Sequence, residues 1–192
     1  MELIGERWSL MILRELMLGP RRFSDLRASL PGLSAKVLTE RLASLEAVGA
    51  LTREELPPPA ASKVYALTRW GYAAEPAIQE LGRWAATHSG HDPTLPLSPV
   101  SLMLSLRTMF DSAKANGSRA TIGFEVRGEQ FVADMADGAL PIRRGDAREG
   151  QAIFRAPDAP VLAGLFYADM PVATLERDAG LVIEGDRDLA MR

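Results

Sequence analysis

Ser34-Ala-Lys-Val-Leu-Thr-Glu-Arg-Leu-Ala-Ser-Leu-Glu-Ala-Val48, followed by Gly49, is the stretch whose reading decides the fold. Leu38, Leu42 and Leu45 recur at i, i+4 and i+7, which places them on one stripe of a helix at about 100° per residue. Lys36, Thr39, Glu40 and Ala43 project from the opposite side. Ser34 has the short oxygen-bearing side chain that caps a helix start, and Gly49 supplies the left-handed residue that ends one. The expectation is a helix from Ala35 to Val48 that hides its leucines and presents small and polar residues.

Toward the N-terminus, Ile4, Trp8, Met11, Ile12 and Leu16 fall at helical spacing, and Gly19-Pro20 ends that run. Phe23-Ser-Asp-Leu-Arg27 begins a short second helix near Arg22 or Ser24, and Leu30-Pro-Gly-Leu33 is a turn. Toward the C-terminus, Leu51 to Leu56 and Lys63 to Thr68 read as strands flanking Pro57-Pro-Pro-Ala-Ala-Ser62. Trp70 to His88 reads as a closing helix disturbed at Pro76. Three helices, a strand, a tight loop and a strand form the layout of a winged helix. In that layout the third helix suits a major groove about 12 Å wide, with its N-terminal residues at base edges and phosphates. The same periodicity also fits a plain amphipathic helix in a small bundle. Arg21, Arg22, Lys36, Arg41, Arg53 and Lys63 gather here, interleaved with Asp25, Glu40, Glu46, Glu54 and Glu55.

The 192 residues suffice for one large domain or two small ones, and 47% hydrophobic with 24% charged residues is ordinary for a globular protein. Cysteine is absent, which excludes disulfides, thiolate nucleophiles, cysteine metal sites and thiol switches. The net charge of −3 is uneven: residues 1–90 hold 11 Lys+Arg against 10 Asp+Glu, residues 91–192 hold 11 against 15. An acidic total does not exclude nucleic acid, because binding needs a local patch. The longest apolar stretch, Trp8 to Leu18, is broken by Arg14 and Glu15, so no membrane span and no membrane partner is expected. Met1-Glu2 leads straight into helical periodicity without a basic leader; no signal peptide is expected, and the cytoplasm is the expected compartment.

Ser89-Gly-His-Asp-Pro-Thr-Leu-Pro-Leu-Ser-Pro99 contains three prolines and marks a boundary. The expected organisation is α+β: a domain over 1–90, a linker over 91–99 and a second domain over 100–192. In the second, Val100 to Lys114 reads as a helix with Leu102, Leu106, Met109 and Phe110 on one side. Ile122, Phe124 and Val126 alternate with polar or small residues, Gly128-Glu129 turns the chain, and Phe131, Ala133 and Met135 repeat the alternation. Asp137-Gly138 is a hairpin turn, after which Leu140 and Ile142 continue the sheet. Ala152 to Ala156 is a further strand, Val161 to Tyr167 and Val172 to Asp178 short helices, and Leu181 to Glu184 a last strand before a helix capped by Asp186.

Leu3-Ile-Gly-Glu-Arg-Trp8, Ile12-Leu-Arg-Glu-Leu16, Gly19-Pro-Arg-Arg-Phe-Ser-Asp-Leu26 and Leu33-Ser-Ala-Lys-Val-Leu-Thr-Glu-Arg-Leu42 resemble the HxlR family of winged-helix transcriptional regulators. Glu46-Ala-Val-Gly-Ala-Leu51 and Val64-Tyr-Ala-Leu-Thr-Arg-Trp-Gly71 extend the resemblance, which covers residues 1 to about 88 in order and spacing. The resemblance implies sequence-specific binding of double-stranded DNA as a homodimer. It assigns Ser34, Lys36, Val37, Thr39, Glu40 and Arg41 to the recognition helix and Leu56 to Lys63, including Ser62, to the wing. Arg21 and Arg22, ahead of the second helix, are expected phosphate contacts. Family members often carry an N-terminal extension, in some with a redox-sensing cysteine; this chain starts at the first helix and has no cysteine, so thiol sensing is not expected.

Residues 99–192 are similar in pattern to sterol-carrier-protein-type domains, whose α/β sandwich holds an apolar cavity between sheet and helices. That similarity implies a hydrophobic small-molecule effector lined by Leu106, Phe110, Phe124, Phe131, Leu162 and Phe166, side chains that serve equally as plain core. The family's last helix is normally longer than the one expected here. His88, His91 and Asp92 could ligate a metal by type, but a helix end and a linker favour solvated surface. Neither a rigid Ser-His-Asp set nor a phosphate-cradling G-x-x-x-x-G-K-[ST] motif is present, so no enzyme and no cofactor is expected. The alternative reading is a lipid or small-molecule carrier that uses its winged helix for protein contacts.

Overall fold

A computed structural model describes residues 5–57, 62–88, 90, 92, 95–115 and 117–191. The chain divides into two compact units, Met1–Pro96 and Leu97–Arg192. Among the described residues no helix is long and apolar enough to cross a membrane.

The first unit opens with α1 (Ser9–Leu16), α2 (Phe23–Ser29) and α3 (Ala35–Ala47). Trp8 stands outside α1, at its N-cap with φ +80°, although the spacing puts it inside the helix. Ile4 lies outside the described residues. Ser34 caps α3 as expected, its Oγ accepting the Val37 amide at 3.2 Å, and Gly49 has φ +74° just after the helix. Leu38, Leu42 and Leu45 are buried, as are Ile12, Leu16 and Leu26 of α1 and α2, and burying each such side chain contributes about 1.5–3 kcal/mol.

β1 (Leu51–Glu55) and β2 (Lys63–Leu67) pair antiparallel, with Leu51 opposite Leu67 and Glu55 opposite Lys63. The expected closing helix is two helices, α4 (Arg69–Tyr72) and α5 (Glu75–Ala86). The break falls just before Pro76, which occupies the first turn of α5, where a missing N–H costs nothing. Thr68 fixes α4: its Oγ1 accepts the Gly71 amide and donates to the Gly49 carbonyl at 2.7 Å. Gly71 itself lies so close to the Ala50 carbonyl that a Cβ would collide with it.

The second unit starts with α6 (Pro99–Met109) and α7 (Ser112–Ala115), where one helix is expected. Asp111 divides them, its Oδ1 accepting the Ala113 and Lys114 amides as a new helix start. A five-stranded sheet follows, built from β3 (Ala120–Val126), β4 (Glu129–Met135), β5 (Ile142–Arg144), β6 (Ala152–Ala156) and β7 (Val182–Gly185) in the order β5-β4-β3-β6-β7. Only β3 and β6 run parallel. The first hairpin turns at Arg127-Gly128 instead of Gly128-Glu129, and Asp137-Gly138 turns the second; all four turn residues have positive φ, the geometry that matches strand twist. α8 (Ala159–Tyr167), α9 (Val172–Asp178) and α10 (Arg187–Ala190) complete the unit, α10 capped by Asp186 as expected.

The sheet has two unlike faces. Register puts Phe131, Phe124, Phe154 and Ile183 in one row across β4, β3, β6 and β7. Phe124 and Phe154 stack at 5.6 Å, and Phe166 of α8 meets both edge-on. The opposite face carries Gly123, where a 3-10 turn (Ala147–Glu149) sits so close that a Cβ would collide with the Ala147 carbonyl. Around it Arg155 pairs with Glu125 and Glu184, and Arg143 with Asp134 and Glu149.

Candidate nucleic-acid interface

Because its three leucines are buried, α3 has a fixed rotation. Ser34, Lys36, Thr39, Glu40, Ala43 and Ser44 are exposed, and Val37 is half-buried. The Thr39 hydroxyl donates to the Ala35 carbonyl at 2.9 Å, which holds that side chain against the helix. Lys36 has no carboxylate partner among the described residues, nor has Lys63 at the foot of the wing. Such a face has the chemistry of base-edge contact: a lysine for phosphate or guanine, a threonine methyl for thymine and a carboxylate for the cytosine amino group.

Arg22 is exposed and donates from Nε to the Ser62 Oγ at 3.0 Å, joining the start of α2 to the wing. The wing tip, residues 58–61, lies outside the described residues. Arg53 on β1 pairs with Glu46 of α3 at 3.0 Å and lies over the Tyr65 ring of β2, so α3 is tethered to the two-stranded sheet.

Two of the expected contact residues stand elsewhere. Arg21 is only 6% exposed and pairs with the fully buried Glu15, so its guanidinium is committed to the interior. Arg41 projects from the flank of α3 nearer the leucines, is 21% exposed and pairs with Glu6. Spacing already separates Arg41 from Lys36 and Glu40 on the helical wheel. Burial of Arg21 had no such signal, because an arginine beside a turn reads as surface.

In the second unit, Phe124, Phe131 and Leu162 are at most 3% exposed, Leu106 and Phe110 are half-buried, and Phe166 is 37% exposed. The Arg144 guanidinium lies over the Phe131 ring at 5.0 Å. A cavity of about 370 Å³ opens elsewhere, lined by Arg119, Ala120, Thr121, Asp134, Met135 and Gln151, and none of the six expected apolar residues borders it. Thr121 donates to Asp134, and Gln151 accepts the Thr121 amide, so its polar groups are already engaged. Tyr167 and Ser105 share a hydrogen bond of 2.8 Å, and burial raises the Tyr167 phenol above its ordinary value. Asp146 is held at about 2 by hydrogen bonds from Arg148, an ordinary surface pair. His88 is exposed and its Nδ1 accepts the Gly90 amide; His91 lies outside the described residues.

Three packed helices with a capped third helix and a two-stranded sheet at its base define a helix-turn-helix protein of the nucleic-acid-binding class. The model of the HxlR-like helix-turn-helix family matches residues 3–93. The chain is 38% identical over 84 residues to the uncharacterised HTH-type transcriptional regulator YvaP of Bacillus subtilis, an alignment covering 44% of this chain and 78% of that protein. It is 39% identical over 83 residues to the HTH-type transcriptional regulator YodB of the same organism, covering 43% and 74%. The reduced form of YodB matches in structure at 36% identity and a TM-score of 0.42, over 47% of this chain and 90% of that one. The chain belongs to the HxlR-like helix-turn-helix family of transcriptional regulators, which are DNA-binding proteins and not enzymes.

Proposed function

We propose that residues 1–90 bind a specific DNA operator through the outer face of α3, in the cytoplasm where the chromosome is reached. The observation that carries this reading is charge left over: Lys36 at the start of α3, Lys63 in β2 and Arg22 ahead of α2 each lack a carboxylate partner among the described residues, and Arg22 reaches Ser62 beside Lys63. Ser34, Lys36, Thr39 and Glu40, with Val37 beside them, meet the major groove. Arg22, Ser62 and Lys63 meet the flanking backbone, and Arg41 joins only by leaving Glu6.

The active species is a homodimer whose copies meet through α5. None of its residues is buried, and Leu81 and Trp84 are 47% and 74% exposed on it. Two recognition helices about 34 Å apart then read a palindromic or near-palindromic site. Residues 100–192, after the 91–99 linker, form a sterol-carrier-like sandwich that takes a hydrophobic effector beside Phe166. That ring caps buried Phe124 and Phe154 and is the first group an entering ligand displaces; Leu106, Phe110, Phe131 and Leu162 lie deeper or alongside. Effector alters operator affinity only as far as it prefers one dimer geometry.

Selection of bound fragments from random DNA, with and without a hydrophobic metabolite extract, tests the reading. Recovery of a two-fold-related motif with affinity falling steeply between low and moderate salt is expected. Tight uptake of apolar ligand with no enriched sequence would replace it by the carrier reading.

A further inference from the structure

We infer that Glu15 is a positioning residue for DNA recognition: through Arg21 it fixes the wing at a set distance from the recognition helix. The inference rests on the DNA-binding reading above. A carboxylate at 0% exposure is costly to ionise unless it is paired on both oxygens. Glu15 is paired on both. Arg14 donates to Oε1 from Nε at 3.2 Å and Nη2 at 2.9 Å, and Arg21 donates to Oε2 from Nη1 at 3.4 Å.

The consequence lies in the backbone of Arg21. Its amide donates to the Tyr65 carbonyl at 3.0 Å, and its carbonyl accepts the Tyr65 amide at 2.8 Å, so residue 21 forms a one-bridge third strand beside β2. The next residue, Arg22, reaches Ser62 at the wing's foot. One buried carboxylate on α1 therefore holds the residue from which the wing strand hangs. Since α1 also packs against α3, this pair sets the spacing between that helix and the β2 side of the wing, beside the direct Arg53–Glu46 tether to β1. Both must meet one duplex at once, and a displaced wing would lose its backbone contacts while α3 kept its base contacts.

The test uses the full chain, the selected operator duplex, and the variant Glu15→Gln. Hydroxyl-radical protection at the outer, wing-side positions is expected to disappear, with Kd raised about tenfold or more, while major-groove protection under α3 persists. Without DNA, exchange of the Tyr65 amide should quicken by about tenfold or more, with the Leu42 amide in α3 unchanged. Should Glu15→Gln not fold, Arg21→Lys keeps the cation but loses the guanidinium fork, and a smaller loss at the same positions is expected. A folded variant with native Tyr65 exchange, or with native wing-side protection, overturns the inference. If the unaltered chain protects no duplex, the DNA-binding reading falls first and the positioning role with it; native exchange at Tyr65 defeats the clamp alone.

Discussion

The two units treat arginine differently. In residues 97–192, Arg119, Arg143, Arg144, Arg148, Arg155, Arg177 and Arg187 each pair with a carboxylate, whereas Lys114 and Arg127 do not, among the described residues. In the first unit Arg14, Arg21, Arg41, Arg53 and Arg83 are paired, whereas Arg7, Arg22, Arg27, Lys36, Lys63 and Arg69 are not, among the described residues. Surface pairs such as Arg148 with Asp146 contribute little to stability, but they cancel local field. A cation left unpaired beside the end of a recognition helix keeps its field for an outside anion. The first unit leaves more of its cations without a carboxylate, Lys36, Lys63 and Arg22 among them, whereas most arginines of the second are cancelled within it.

That contrast can be broken at its foundations. Leu42→Ala removes a fully buried side chain from the core that orients α3 and is expected to cost the first unit about 2–5 kcal/mol. All three tryptophans, Trp8, Trp70 and Trp84, belong to that unit, so denaturant unfolding followed by tryptophan fluorescence reports it selectively. An unchanged midpoint would mean that α3 does not depend on its leucine stripe. Gly123→Ala should do the reverse. Its Cβ would meet the Ala147 carbonyl, an overpacking expected to cost the second unit about 1–3 kcal/mol, seen in the sheet's circular dichroism while tryptophan fluorescence holds.

Much of the first unit was legible because each helix carries its own punctuation. Ser34 and Gly49 bound α3 to within a residue, and the leucine period gave its rotation. Pro76 announced a disturbance but not a second helix, since a proline suits a first turn as well as a kink. The candidate interface was legible where charge meets periodicity, at Lys36 and Glu40, and illegible at Arg21. Its burial depends on Glu15, six residues away, whose own burial follows from tertiary packing.

In the second unit the strands showed through alternation, and the aromatic row follows from their register. The tight contact of Gly123 with Ala147 did not show, because a small residue in a strand names no partner. The cavity beside Thr121, Asp134 and Gln151 was equally hidden. It joins residues from three separate segments, and no local pattern links them.

The outward face of α3 as the DNA-reading surface is tested most directly by operator affinity of Lys36→Ala against the unaltered chain across a salt series. A loss of about 1–3 kcal/mol is predicted, with the salt slope shallower by about one if the lysine meets a phosphate. Identical affinity and identical slope in a folded variant would contradict it.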